Sequence, residues 1–285
     1  EEGVTSIGTG AFYNNSELNE VEIPGSVTEI GSYSFASSGL ETVTILDGVT
    51  SIGAFAFADN PGLTEIIIPA SVSEISEFSF ANTGLETITI REGVTTIGTG
   101  AFAATNPSEL TLPSTVTEIG QYSFAGVSSL SELTIPSSVE LIGDSAFFCA
   151  LDLKDLTIED APGSEVEVGS YSFANTGLTN VTIGDNVDSI GDYAFGNVGL
   201  VGVRVSEDTE VSDNAFDDYS GTTIGGVVIP DYDVPDYDVP DVDVPSLPKN
   251  SDSQLEVELV LYECADFEVF VTTPVRIYDA GYIAY

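Results

Sequence analysis

The side chains of this chain that can do chemistry are mostly carboxylates and hydroxyls, and they return at a regular interval. Glu20, Thr42, Glu65, Thr87, Glu109, Glu132, Asp155, Asn180, Gly202 and Gly226 occupy one recurring position. Glu22, Thr44, Ile67, Thr89, Thr111, Thr134, Thr157, Thr182, Arg204 and Val228 occupy another, two residues later. Rows of carboxylate oxygen suit a hard cation such as Ca²⁺, or a basic partner. Paired carboxylates can also hydrolyse glycosides, but these acids recur at every interval and none marks a unique pair. A row of Thr hydroxyls suits a repetitive ligand such as a glycan. Thr42-Val43-Thr44 and Thr87-Ile88-Thr89 share the form of some ice-binding surfaces, but the interleaved, strongly hydrated glutamates oppose that match. The plainer reading of both columns is a solvated strand face, which Thr suits well.

Six further acids, Asp231, Asp233, Asp236, Asp238, Asp241 and Asp243, lie in tandem pentapeptides between Pro230 and Pro245. Proline at every fifth place prevents a helix or a central strand. Like charges keep such a segment extended, so it reads as a spacer. The alternative is weak Ca²⁺ capture by the Asp-x-Asp pairs. No Gly-bearing twelve-residue loop accompanies them, so any such site would have low affinity.

Composition removes most other chemistry. There is no His, and the two cysteines, Cys149 and Cys264, are far apart. A nitrogen or sulfur metal site and a His-activated nucleophile are therefore excluded, and no cofactor is expected. Both cysteines are expected to be unpaired. Five Lys+Arg against 47 Asp+Glu give a formal net charge of −42, which repels nucleic acid. Apolar residues make up 42% of the chain, enough for a packed core rather than a disordered acidic tail. No apolar run reaches the roughly 18 residues of a membrane span. The chain begins at Glu1, partway through a repeat, and reads as an excised piece with more sequence upstream.

The elements that must position the columns are repeats. Ile7-Gly8-Thr9-Gly10-Ala11-Phe12 returns as Ile30-Gly31-Ser32-Tyr33-Ser34-Phe35 and in eight later copies. From Phe12 to Phe216 nine steps cover 204 residues, a mean of 22.7 per repeat. Such self-similarity marks a solenoid of about ten 22–23-residue units. After each Phe comes a Leu-x-x-Val-x-Ile block, as in Leu18-Val21-Ile23, whose last residues alternate as in a half-buried strand. Val21 and Ile23 then point inward, and Glu20 and Glu22 outward. Pro24, Pro69, Pro113 and Pro136 sit just past the strands, where a ladder stops. Ten strands about 4.8 Å apart make a parallel sheet on the order of 48 Å long. The repeat Phe residues are expected to be buried in one line. An insertion around Pro162-Gly163 should bulge without breaking the stack.

The segment Ile23-Pro24-Gly25-Ser26-Val27-Thr28-Glu29-Ile30-Gly31-Ser32-Tyr33-Ser34-Phe35 resembles the BspA-like leucine-rich repeats of the LRR_5 type. The resemblance covers residues 3–230. It implies a leucine-rich solenoid with a parallel β-sheet face, and a role among surface-exposed adhesion and host-interaction proteins without catalytic motifs. The chain then divides into the solenoid at 1–230, the acidic Pro-rich linker at 231–250 and a short β segment at 251–285. In the last, Leu255 to Leu261, Phe267 to Val271 and Val275-Ile277 alternate as two or three antiparallel strands.

The expectation for function is a non-enzymatic binding or adhesion module, cell-surface or secreted. Its ligand would be a protein or glycan held on the sheet face by Glu20, Glu22, Thr42, Thr44, Glu65, Thr87, Thr89, Glu109, Thr111, Glu132, Thr134, Asp155 and Thr157. The alternative is a structural or divalent-cation-binding wall or matrix component of a saline or Ca²⁺-rich exterior.

Overall fold

A computed structural model describes residues 3–160, 163–200, 203 and 205–217, and the backbone of 256–260 and 268–272. The strands are β1 (Ser6–Ile7), β2 (Glu20–Ile23), β3 (Glu29–Ile30), β4 (Thr42–Ile45), β5 (Ser51–Ile52), β6 (Glu65–Ile68), β7 (Glu74–Ile75), β8 (Thr87–Ile90), β9 (Thr96–Ile97) and β10 (Glu109–Thr111). They continue as β11 (Glu118–Ile119), β12 (Glu132–Ile135), β13 (Leu141–Ile142), β14 (Asp155–Ile158), β15 (Val166–Val168), β16 (Asn180–Ile183), β17 (Val187–Ile190) and β18 (Glu210–Val211). The described residues contain no helix. The expected repeat solenoid is the architecture observed.

Each coil contributes to three walls. The long-strand wall follows the sequence alternation directly: in β4, Thr42 and Thr44 are exposed while Val43 and Ile45 are buried. A second wall, formed by the brief strands ending in the repeat Ile, is one ten-stranded parallel sheet from β1 to β18. Its core side is the Ile column, with Ile30 registered on Ile7 and Ile52. A glycine follows most residues of this column, though Ser76 follows Ile75, and from Gly31 onward it lets adjacent coils approach closely. An added Cβ at Gly53 would lie 2.4 Å from the Ser32 nitrogen.

The third wall is a row of turns around the repeat Phe. Tyr33, Phe35 and Ser37 donate their N–H groups to Ala54, Ala56 and Ala58 of the next coil at 3.0, 2.8 and 2.9 Å. The residues between them, Ser34 and Ala36, donate back within their own coil at 3.2 Å each. Tyr33 and Ser37 take left-handed φ values of 56° and 52° to make this possible. Backbone polar groups are thus satisfied without a helix.

Nine Phe–Phe stacks, with centroids 5.0–5.4 Å apart, run from Phe12 to Phe216 through the interior. Phe35 to Phe195 are fully buried in this line. The ends correct the expectation of ten buried rings. Phe12 stacks on Phe35 alone and is 42% exposed. Phe216 is half-buried. A second core strip lies under the turn wall, built on Tyr33, Phe55, Phe78, Tyr122 and Phe148 with small Ala residues between. Cys149 belongs to that strip, and it is disulfide-bonded rather than the unpaired thiol expected. Cys264 lies outside the described residues.

The long-strand wall is not continuous. It divides into β2-β4, β6-β8-β10 and β12-β14-β16. Two sequence features coincide at both interruptions. A proline follows the strand on the far side, Pro69 after β6 and Pro136 after β12. Leu46, Arg91 and Glu159 at that position donate their N–H to Ile23, Ile68 and Ile135 at 3.0, 3.2 and 3.0 Å, a bond proline cannot make. The loop also lengthens by one residue. Thr42 lies seven residues after Phe35 but Glu65 eight after Phe57; Glu109 lies seven after Phe102 but Glu132 eight after Phe124. Where Pro113 follows an unlengthened loop, β10 still pairs with β8 and is only shortened to three residues.

The insertion leaves the stack intact, because β15 pairs with both β13 and β17 across a register shift at Val166/Glu167. Strands β19 (Glu256–Val260) and β20 (Glu268–Thr272) pair antiparallel, as expected of the last segment. The expected strands at Ile224 to Ile229 and Val275-Ile277 lie outside the described residues. So do Gly202, Arg204, Gly226, Val228 and the six acids from Asp231 to Asp243.

Candidate functional site

The register places the thirteen expected site residues on one wall. Glu20, Glu22, Thr42, Thr44, Glu65, Thr87, Thr89, Glu109, Thr111, Glu132, Thr134 and Asp155 are exposed, and Thr157 is half-buried. Glu20 and Glu22 stand directly beside Thr42 and Thr44. Glu65 and Glu109 flank Thr87 on either side. In the first column acids and hydroxyls therefore alternate over the first five coils, which keeps like charges apart.

Glu109, Glu132 and Asp155 occupy successive coils without a hydroxyl between them. The structure relieves this run in two ways. Glu109 and Glu132 fall on opposite sides of the second interruption, so they are not ladder partners. Glu132 and Asp155 are direct partners, but Asp155 Oδ1 accepts a 2.7 Å hydrogen bond from the Asn180 amide. Among the described residues, no group of three or more acids converges to hold a metal ion.

The first interruption opens a groove of about 370 Å³ between β4 and β6. Val43, Ile45 and Ile66 lie among its lining with Thr42, Thr44 and Glu65. Leu46 and Ile67, 41% and 38% exposed, contribute apolar walls. Arg91 spans the intervening coil to Asp47, with Nη1 3.3 Å from Oδ1.

The sequence reading missed a third outward column, on the ten-stranded sheet. Ser6, Glu29, Ser51, Glu74, Thr96, Glu118, Leu141, Glu167, Ser189 and Glu210 project from the ten-stranded sheet, alternating acid with non-acid. Its only signal was the residue before each repeat Ile, too short a run to show a period of two. A groove of about 470 Å³ at the β13–β18 end of this sheet is lined by Asp144, Glu167 and Glu210 among serines. Asp144 Oδ1 there accepts the Ser170 N–H at 2.8 Å.

The turn wall holds three groups whose pKa burial raises. Burial pushes the Tyr33 phenol up, with Glu77 and Tyr13 adding to the effect. Burial also raises Tyr122, reinforced by Asp144 and opposed by its hydrogen bond with Ser145. Asp59 is raised by burial against the hydrogen bonds from Asn82 and Ser37.

These coils can be compared with known proteins. The sequence profile of the BspA type leucine rich repeat region matches the chain in six copies, over residues 1–107 and 95–223. The chain belongs to the BspA-type leucine-rich repeat family. Among solved structures, a leucine-rich repeat protein from Bacteroides ovatus is similar to this BspA-type chain at 26% identity and a TM-score of 0.65. The match covers 76% of this chain but only 55% of that protein, so the chain spans about half the length of its relative. A leucine rich cell surface protein from Faecalibacterium prausnitzii is 22% identical over 75% of this chain and 74% of its own, with a TM-score of 0.41. The pneumococcal vaccine antigen PcpA is 18% identical over 75% and 71%, with a TM-score of 0.47. None of the curated proteins matches the chain. No helix among the described residues of the BspA-type solenoid is long and apolar enough to cross a membrane.

Proposed function

We propose that this solenoid is a non-enzymatic binding module, displayed at a cell surface or secreted, that takes a protein or glycan ligand on its long-strand wall. The observation that carries this reading is the pair of exposed columns there, with acids and hydroxyls held at ladder spacing by buried Val, Ile and Leu neighbours. Recurrent solvated carboxylates suit extended contact, whereas catalysis needs one unique constellation. BspA-type membership supports a surface role. The bonded Cys149 supports an oxidising exterior, where disulfides persist.

The test is an array of extracellular-matrix proteins and glycans probed with the full chain and with a variant that reverses acids along the whole wall, Glu20→Lys/Glu65→Lys/Glu109→Lys/Glu132→Lys. The reading expects at least one ligand to bind and the variant to lose it. Equal binding by both proteins would move the site off this wall.

A further inference from the structure

We propose that the groove between β4 and β6 is a docking site for a protein segment that presents an aliphatic side chain beside a lysine or arginine. This rests on the long-strand wall being the binding face, and it names the place and the partner's chemistry.

The apolar half of the match comes from Ile67. Its position is held by Thr44, Thr89, Thr111, Thr134, Thr157 and Thr182 in neighbouring coils. A hydroxyl thus gives way to an aliphatic side chain at the coil where the ladder is interrupted. Leu46 is the other large exposed apolar side chain in the same groove. No ring lines the groove, so a sugar has nothing to stack on, whereas a branched aliphatic side chain has two walls to fill. Water-exposed apolar surface of this kind gains from being covered.

The charged half comes from the balance of the rim. The Arg91 guanidinium is taken up by Asp47. Glu65 lines the groove without an ion pair among the described residues, and Glu20 and Glu22 lie one strand beyond β4. A net charge of −42 further favours a cationic approach.

The second interruption provides an internal comparison. There Thr134 stands in place of Ile67 and Glu159 in place of Arg91. It offers acid and hydroxyl without an apolar wall, so the same partner should pass over it.

The experiment titrates the ¹⁵N-labelled full chain with a pentapeptide carrying leucine between two lysines. Controls replace the leucine with alanine or the lysines with glutamate, and a panel of neutral hexasaccharides runs in parallel. The expected result is shift changes confined to residues 42–47, 65–67 and 91. Either control peptide, or the Ile67→Thr variant, should weaken binding about tenfold. Ile67→Thr restores the residue found in neighbouring coils, and an unchanged melting temperature verifies its fold. Peptide shifts that map to 109–157 and ignore Ile67→Thr would overturn the groove while leaving the binding face in place. Saccharides shifting the groove where the peptide does not would overturn the partner's chemistry. Peptide and saccharide shifts found only on the turn or short-strand walls would overturn the groove and the binding face together.

Discussion

Arg91 reaches across a whole coil to Asp47, its Nη1 3.3 Å from Oδ1, and so bridges the place where the long-strand ladder is interrupted. Both side chains are well exposed, at 49% and 73%. An exposed pair contributes about 0–1 kcal/mol, since water screens it and two long side chains must be ordered. Arg91→Ala should therefore lower unfolding free energy by no more than about 1 kcal/mol. Urea denaturation checks this. A loss of several kcal/mol would make the pair a structural clamp.

The Phe ladder predicts unequal costs along its length. Phe124→Ala removes a fully buried ring stacked on both sides and should cost about 3–5 kcal/mol. Phe12→Ala removes a ring that is 42% exposed and stacked on one side, and should cost well under half as much. Chemical denaturation of the two variants gives the comparison. Equal losses would contradict the exposure of Phe12.

Much of this was legible in the sequence. The four-residue strands announce themselves because Val21 and Ile23 alternate with Glu20 and Glu22, and the ladder bears out that register. The ten-stranded sheet was not legible, because a two-residue strand such as Glu29–Ile30 is too short to display a period. The second aromatic strip was hidden for a different reason. Tyr33 and Phe55 point inward from left-handed turn positions, to which neither helix nor strand periodicity applies. Pro69 was read correctly as a strand end. Its effect on the neighbouring coil, withholding the N–H the next ladder bond needs, emerges only once the coils are stacked.

Asp59 predicts a pH-dependent variant. Burial raises its folded-state pKa despite the bonds from Asn82 and Ser37, so folding favours the protonated acid. Its contribution is complete below the ordinary Asp range and is lost as pH rises through the raised value. Asp59→Asn removes that loss. Asn197 and Asn175 already make the corresponding amide-to-amide bond at 2.7 Å. The variant should melt higher than the parent at pH 7, with the gap closing as pH falls below the ordinary Asp range near 4. A constant gap across that window would contradict the assignment.

Net charge predicts a salt response. At −42 the compact state is strained by self-repulsion, which cations relieve. The acids of the described residues do not converge into a metal cluster, so screening should dominate. Melting temperature should rise with NaCl and CaCl₂ alike at matched ionic strength. A saturable rise at micromolar Ca²⁺ alone would favour the cation-binding reading and direct attention to Glu132 and Asp155, which are ladder partners.

The most direct test of the binding face is a hydrogen-exchange footprint of the full chain with the ligand recovered from the matrix-protein and glycan array. Protection should fall on the long strands, 42–47 and 65–67 above all, and leave the turns around Phe57 and Phe124 unchanged. Protection confined to those turns or to the ten-stranded sheet would contradict the long-strand wall as the site of binding.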